Sequence, residues 1–234
     1  MARGTQLLTL IAQLRAETGR SQEVSVGIDE VENLKVQLAR KQEELYDDHN
    51  WLHIKVQRTV SLAAGQRYYD LPADLDFDRI DQVALRYNEV YVPIQKNINL
   101  EDYSAFDSNA TTPERSNPAR KWDIRDTGSG EQIEIWPIPN DNTQTLYFFG
   151  TKALGDLIQE SDTADLDDRL IVLSLAAQIL KRQKSPDALD VAKLAAQRLL
   201  SLKKNQAKNR VTQQIGLGNK FNSYNRGQIK IVVS

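Results

Sequence analysis

Cysteine is absent from this 234-residue chain, methionine occurs once and histidine twice. Without cysteine the protein can form neither disulfides nor thiolate metal sites, and cysteine catalysis is excluded. This composition fits a reducing compartment. No segment approaches the run of about 18 consecutive apolar residues that would indicate a membrane span. We therefore expect a soluble protein with no membrane partner.

Charge is nearly balanced over the whole chain but is strongly divided along it. Residues 1–180 contain 18 Lys and Arg against 30 Asp and Glu, a net charge of −12. Residues 181–234 contain 12 Lys and Arg against only two Asp, a net charge of +10. Such an asymmetry predicts that the C-terminal end meets an acidic partner, either a nucleic acid or the negative surface of another protein.

Helical spacing of apolar residues occurs at both ends of the chain. Thr5–Thr18 and Asp29–Asn50 each place leucines along one face, and Gly19 stands where a helix commonly ends. The same spacing returns in Asp165–Arg182, and Ser185-Pro186-Asp187 is a start signal for another helix. Both ends are therefore predicted to be helical.

The middle of the chain has a hydrophobic period close to two, which is typical of strands. The change begins at Val60–Ile80, a segment with a glycine turn, paired tyrosines and a Leu-Pro stop. The clearest hairpin joins Lys121–Arg125 to Gln132–Trp136. In another, Asn88-Glu89 is a two-residue turn between the strands Ile80–Tyr87 and Val90–Ile94. These short strands predict a compact antiparallel sheet or small sandwich.

Together these patterns predict an α+β fold, in which a helical bundle built from both chain ends carries an inserted antiparallel β domain. We expect N-terminal helices in residues 1–51, the β domain in 52–152, and C-terminal helices in 153–214. Residues 215–234 are predicted to be an extended C-terminal arm. The arm ends with apolar residues at every second position, a pattern that suits docking onto the edge of a partner's sheet. These residues are Ile229, Ile231 and Val233.

Candidate metal ligands are few. His49 and His53 are spaced as in H-E-x-x-H, but the glutamate is absent and a third nitrogen or sulfur ligand is lacking nearby. Asp74, Asp76 and Asp78 imitate the first half of a calcium loop without its glycine and final glutamate. We therefore predict no metal site, and interpret the histidines as surface or core-edge residues.

Recognisable catalytic patterns are also lacking. The sequence contains no G-x-S-x-G, no G-x-x-x-x-G-K and no G-x-G-x-x-G. The acidic residues between Asp162 and Asp168 could form a magnesium or acid–base cluster, but the dipole at the start of a helix explains them without further assumption. We predict neither an enzymatic activity nor a cofactor.

The basic end has two competing interpretations. Its cations and interleaved aromatics could contact phosphates and stack on bases, or they could wrap an acidic protein surface. Because no nucleic-acid-binding fold motif accompanies it and the overall isoelectric point is about 5.8, we favour a protein partner. The residues concerned are Lys203, Lys204, Lys208, Arg210, Lys220, Phe221, Tyr224, Arg226 and Lys230.

The parts follow one another in a distinctive order. Two N-terminal helices lead to Trp51 at the junction and to the turn G-Q-x-x-Y-x-L-P within AGQRYYDLPADLDFDRIDQV. A Pro-rich loop, a hairpin ending I-x-I-W-P-x-P and a late alanine-rich helix follow. This order resembles that of the head-to-tail adaptor proteins of short-tailed bacteriophages. The resemblance spans nearly the whole chain.

The resemblance implies a non-enzymatic structural protein at the neck of the virion, made in the bacterial host cytoplasm. Such proteins assemble as a ring, commonly of twelve copies, beneath the portal, and genomic DNA passes through. The helical domain and the C-terminal arm would bind the portal protein, and Lys203–Ser234 matches the arm in position. The β domain would face the tail nozzle or tube. The residues assigned to this tail-facing β domain are Tyr68, Tyr69, Asp74, Asp76 and Asp78.

Overall fold

The computed structural model describes residues 3–20, 28–105, 116–128 and 130–208. It contains both helices and sheets, so the predicted α+β class is confirmed. The helices are α1 (Leu7–Glu17), α2 (Ile28–Asp48), α3 (Leu100–Ala105), α4 (Asp168–Arg182) and α5 (Ala188–Lys208). The strands are β1 (Lys55–Ser61), β2 (Tyr68–Asp70), β3 (Leu75–Tyr87), β4 (Val90–Pro93), β5 (Gln95–Lys96), β6 (Lys121–Asp126), β7 (Glu131–Trp136) and β8 (Thr145–Lys152).

Helix α4 is the centre of the helical part. It contacts α1, α2 and α5, and its apolar side chains are buried around most of its circumference. A helix that is apolar on nearly all sides needs neighbours on several sides, which these three helices provide. The shared core contains Leu7, Leu10, Leu38, Leu170 and Leu202, among others.

The ends of two helices follow from local chemistry. Gly19 follows α1 with φ +66, in the left-handed region that glycine adopts without steric cost, as predicted. Helix α4 starts later than we predicted, because the side chain of Asp167 caps it by accepting the backbone N–H of Leu170 at 3.0 Å. Asp165 instead lies before the helix, where it accepts the backbone N–H of Gly155.

The strands form two four-stranded sheets that pack face to face. The first sheet has the order β1-β8-β3-β4 and the second has the order β2-β7-β6-β5. Phe148 of the first sheet meets Trp122 of the second, with ring centroids 5.6 Å apart in an edge-to-face arrangement. The core between the sheets is a cluster separate from the helical core, and it includes Leu85, Ile133, Ile135 and Leu146.

Two details of the β part differ from the prediction. The second sheet is mixed, because β5 runs parallel to β6, whereas we predicted only antiparallel pairing. The chain passes from β4 into β5 through buried Ile94 without reversing, so β5 is carried straight into the other sheet. Strand β3 also begins at Leu75, before the predicted Ile80, with irregular register between Asp76 and Gln82.

The Asn88-Glu89 turn is as predicted. It joins β3 to β4, and φ is +48 at Asn88 and +64 at Glu89, the signs required by the hairpin turn that matches strand twist. Among the described residues, no helix is both long and apolar enough to cross a membrane. The predicted domain boundaries remain a prediction.

Candidate assembly surfaces

Strand β4 gives the first sheet an exposed apolar edge. Among the described strands it pairs only with β3, and all four of its residues are exposed, including Val90, Tyr91 and Val92. The unpaired edge of such a strand presents backbone N–H and C=O groups that another chain can bind. Exposed apolar residues grouped along an edge are typical of an interaction surface.

Aromatic residues extend this edge onto the outer face of the first sheet. The rings of Tyr91 and Tyr147 meet edge to face with centroids 5.0 Å apart. A hydrogen bond with Tyr147 raises the pKa of the Tyr91 hydroxyl, while Tyr91 and Arg86 lower the pKa of Tyr147. The tyrosines therefore form one polar-tipped aromatic patch beside the free edge.

The outer face of the second sheet is covered, in contrast, by a buried polar network around Glu134. The carboxylate is only 1% exposed and accepts hydrogen bonds from Arg67 at 2.8 Å, Arg125 at 3.1 Å and the Tyr103 hydroxyl at 2.7 Å. Burial, reinforced by Glu134, raises the pKa of Tyr103, so its hydroxyl remains a donor. Tyr103 on α3 also packs against Trp136.

A second polar network joins the helical part to the sandwich. At the end of α2, the Tyr46 hydroxyl donates to Asp76 at 2.6 Å and also lies 3.0 Å from the backbone oxygen of Lys152. Arg79 donates to the Tyr46 carbonyl at 2.7 Å, and its guanidinium lies 4.2 Å from the Tyr46 ring centroid. Burial raises the pKa of Tyr46 above its usual value. This network orients the two cores relative to each other.

The aspartates just before and at the start of β3 are used mainly in ion pairs and hydrogen bonds within the chain. Arg58 binds Asp74 through Nε at 2.8 Å and holds the pKa of that carboxyl below its usual value. Asp76 accepts from Tyr46, as described above, while Asp78 is exposed. The described residues contain no group of three or more potential metal-ligating side chains.

The paired tyrosines of β2 have different environments. Tyr69 is buried in the sandwich core, where its hydroxyl accepts the Ala63 N–H and donates to the Gln66 carbonyl, fixing the preceding turn. Strand alternation turns the Tyr69 ring inward. Tyr68 is half-buried beside Arg67. The assignment of Tyr68, Tyr69, Asp74, Asp76 and Asp78 to a tail-facing β domain remains a prediction.

The two histidines flank Trp51, and each makes a hydrogen bond within the chain. His49 Nε2 lies 2.8 Å from the Gln206 side-chain oxygen, and His53 Nε2 lies 3.1 Å from the Asp165 carbonyl oxygen. A carbonyl can only accept, so His53 carries its proton on Nε2, and Nδ1 is buried without a partner among the described residues. Burial lowers the pKa of His53.

We expect this histidine to make folding sensitive to mild acid. The unfolded chain binds a proton at the ordinary histidine pKa of about 6.5, whereas folded His53 binds it only at lower pH. Its stabilising contribution is therefore complete above about pH 6.5 and decreases as the pH falls. Melting temperatures of wild type and H53Q at pH 7.5 and 5.5 test this. An equal acid-induced loss in both proteins would contradict it.

Of the predicted C-terminal arm, only the beginning is described. Lys203 on α5 pairs with Asp48 at the end of α2, at 3.3 Å, and Lys204 is exposed. Lys208 is the last residue of α5. The other predicted arm residues lie outside the described part: Arg210, Lys220, Phe221, Tyr224, Arg226, Ile229, Ile231 and Val233. The assignment of the arm to portal binding remains a prediction.

These features define a two-part α+β protein with exposed apolar and charged surfaces. The SU10 adaptor protein family matches residues 5–217. The chain belongs to this family, which confirms the prediction of a bacteriophage adaptor, a structural protein of the virion neck that meets portal and tail proteins. A search of curated proteins found no match.

Proposed function

We propose that copies of this chain form a closed ring that joins the portal to the tail nozzle or tube and lets genomic DNA pass. The observation that carries the proposal is the extent of the family match, which includes both the helical core and the sandwich core. The helical core and the sandwich core, joined by the Tyr46 network, give the protein two separate parts that can each bind a different partner. Twelve copies is the number implied by the resemblance.

In this proposal the helical bundle from both chain ends and the C-terminal arm bind the portal, and the β sandwich faces the tail. The charge of +10 in residues 181–234 supports binding of an acidic protein surface by this end. The exposed β4 edge and the Tyr91–Tyr147 patch support a second contact surface on the sandwich. The role is structural, without catalysis or a cofactor.

The acidic remainder of the chain suits the passage of DNA. Residues 1–180 carry a net charge of −12, and a lumen lined by part of that surface would repel phosphates. DNA could then move through the ring without binding to it. A structure of the ring with a lumen lined by Lys and Arg would contradict this part of the proposal.

Charge reversal in the arm should weaken portal binding without unfolding the protein. We expect K220E/R226E to bind its portal protein at least about tenfold less tightly, which corresponds to about 1.4 kcal/mol. The matched control K96E/R120E reverses two exposed charges in the β part and should bind normally. Affinity measurements and negative-stain images with and without portal test the proposal. Normal binding by K220E/R226E would exclude the arm as the portal contact.

A nucleic-acid-binding function is the second candidate, and the same basic end favours it. DNA binding through these cations would weaken steeply with salt, because each neutralised phosphate releases counterions. Tight binding to duplex DNA at physiological ionic strength, lost in K220E/R226E, would support this function. Portal-dependent rings with weak, nonspecific DNA binding would support the adaptor.

A further inference from the structure

Helix α5 leaves a stripe of apolar side chains uncovered. Leu189, Ala192, Ala196 and Leu200 are separated by three, four and four positions, which places them along one flank of the helix. Leu189 is 72% exposed and Leu200 is 55% exposed, and both alanines are exposed. The residues that pack inward, such as Ala195, lie on a different face. The α5 stripe is therefore available for a second helix contact.

The surroundings of the α5 stripe are basic. Lys203 and Lys204 lie beside its C-terminal end, and Lys193 lies beside its middle. Helix α5 itself has five Lys and Arg against one Asp; Lys193 pairs with Asp190 and Lys203 pairs with Asp48, while Lys204 is exposed. A surface that complements the stripe should therefore combine apolar side chains with negative charge.

Such a surface exists on the same chain, between α1 and the loop that precedes α4. Ile158 is 64% exposed and Leu8 is 42% exposed. The backbone N–H of Leu8 donates to the Glu160 carbonyl at 3.2 Å, which holds the loop against α1, so the two exposed residues lie on adjoining segments. We call this region the Leu8–Ile158 patch.

The Leu8–Ile158 patch is acidic where the α5 stripe is basic. Of the six Asp and Glu in residues 153–168, Asp167 and Asp168 are buried and Asp165 pairs with Lys152, so the acidic character of the surface comes from the exposed ones. Asp156 and Glu160 are exposed there, and the latter pairs only loosely with Lys35, at 3.6 Å. The Leu8–Ile158 patch is therefore an exposed apolar surface bordered by acidic residues. The α5 stripe is an exposed apolar surface bordered by basic residues.

The two surfaces do not cover each other within one chain. Helices α1 and α5 both pack on α4, and α4 is buried around most of its circumference, so its neighbours occupy different sides. The exposure of Leu8, Ile158, Leu189 and Leu200 shows that each surface is open in the single chain. Complementary patches on different sides of one subunit are the requirement for a head-to-tail contact that closes into a ring.

We propose that the α5 stripe of one copy docks on the Leu8–Ile158 patch of the neighbouring copy. The partner that binds the α5 stripe is thus a second copy of this chain, because the two surfaces are both apolar at the centre and opposite in charge at the border. The inference rests on the proposed ring and identifies the faces that build it. Burial of leucines at the centre supplies the affinity, and the flanking charges fix the orientation.

The absence of cysteine allows a direct test by cross-linking. Two single variants, L200C and I158C, are mixed in equal amounts, alone and with the portal protein, and treated with a short bifunctional maleimide. We expect a covalent dimer that contains one copy of each variant, and larger species from the double variant L200C/I158C. The matched control replaces I158C with L100C, which lies on α3 and is 81% exposed in wild type.

A second variant tests the energetics of the same contact. L200E should reduce ring assembly at least about tenfold, whereas L100E should assemble like wild type. Cross-links of L200C to itself, or none between L200C and I158C within assembled rings, would overturn the proposed contact while leaving the ring intact. If wild type forms no ring with or without portal, the proposed function itself fails.

Discussion

The variant E134Q is expected to lower the free energy of unfolding by about 3–5 kcal/mol, because it removes the buried carboxylate that pairs with Arg67, whose side chain is only 17% exposed. Glu134 receives hydrogen bonds from Arg67, Arg125 and Tyr103, all on the covered face of the second sheet. The amide keeps the size of the side chain but removes its charge and one acceptor oxygen. The decrease in the free energy of unfolding therefore reports the loss of the charge, not the creation of a cavity.

Urea denaturation followed by tryptophan fluorescence checks this prediction, since Trp122 and Trp136 lie in the sandwich. The matched control is E131Q, an exposed position on the same strand, which should change the free energy of unfolding by less than about 0.5 kcal/mol. The double variant R67M/E134L should recover part of the loss, because an apolar pair needs no counter-charge. Equal stability of E134Q and E131Q would show that the network contributes little.

Local sequence patterns were sufficient to predict which segments are helices or strands and where several of these elements end. The change of hydrophobic period marked the β part, and Gly19 marked the end of α1 because only local backbone geometry is involved. The Asn88-Glu89 turn was likewise predictable, although it lacks the favoured glycine. These features depend on residues within a few positions of each other.

Long-range contacts were not predictable in this way. Arg67 and Glu134 are 67 positions apart, and the sequence contains no signal that joins them. The sequence likewise contains no signal that Asp74 is bound by Arg58 of β1 or that Asp76 is bound by Tyr46 of α2. Tyr69 has the same residue type as exposed Tyr91, and only strand pairing decides which ring is buried.

The candidate assembly surfaces were partly visible in the sequence. The alanine-rich pattern of α5 indicated close helix contact, but not which flank α4 would leave open. The role of Ile158 depends on the backbone hydrogen bonds that hold its loop against α1, and these join residues more than 150 positions apart. The charge asymmetry alone was fully available from composition.

The variant W51A is expected to lower the free energy of unfolding of the helical core by about 3–5 kcal/mol, because it removes a large, fully buried ring. Trp51 belongs to the helical core although it directly precedes the β part. Its indole N–H donates to the Leu45 carbonyl at 2.9 Å, satisfying one of the free carbonyls at the end of α2. The indole ring also contacts His49 and His53.

The conservative variant W51F separates packing from the hydrogen bond. It keeps an aromatic ring but leaves the Leu45 carbonyl without its donor, so we expect a loss of about 1–3 kcal/mol. Opening this site would also expose His53 to water and raise its pKa toward the usual value, which NMR titration can follow.

Unfolding of the two cores can be followed separately, because circular dichroism reports the helices, while the fluorescence of Trp122 and Trp136 reports the sandwich. If helical signal is lost at lower urea than the sandwich signal, Trp51 stabilises the helical core separately. A W51A protein within about 1 kcal/mol of wild type would show that the junction does not depend on this side chain.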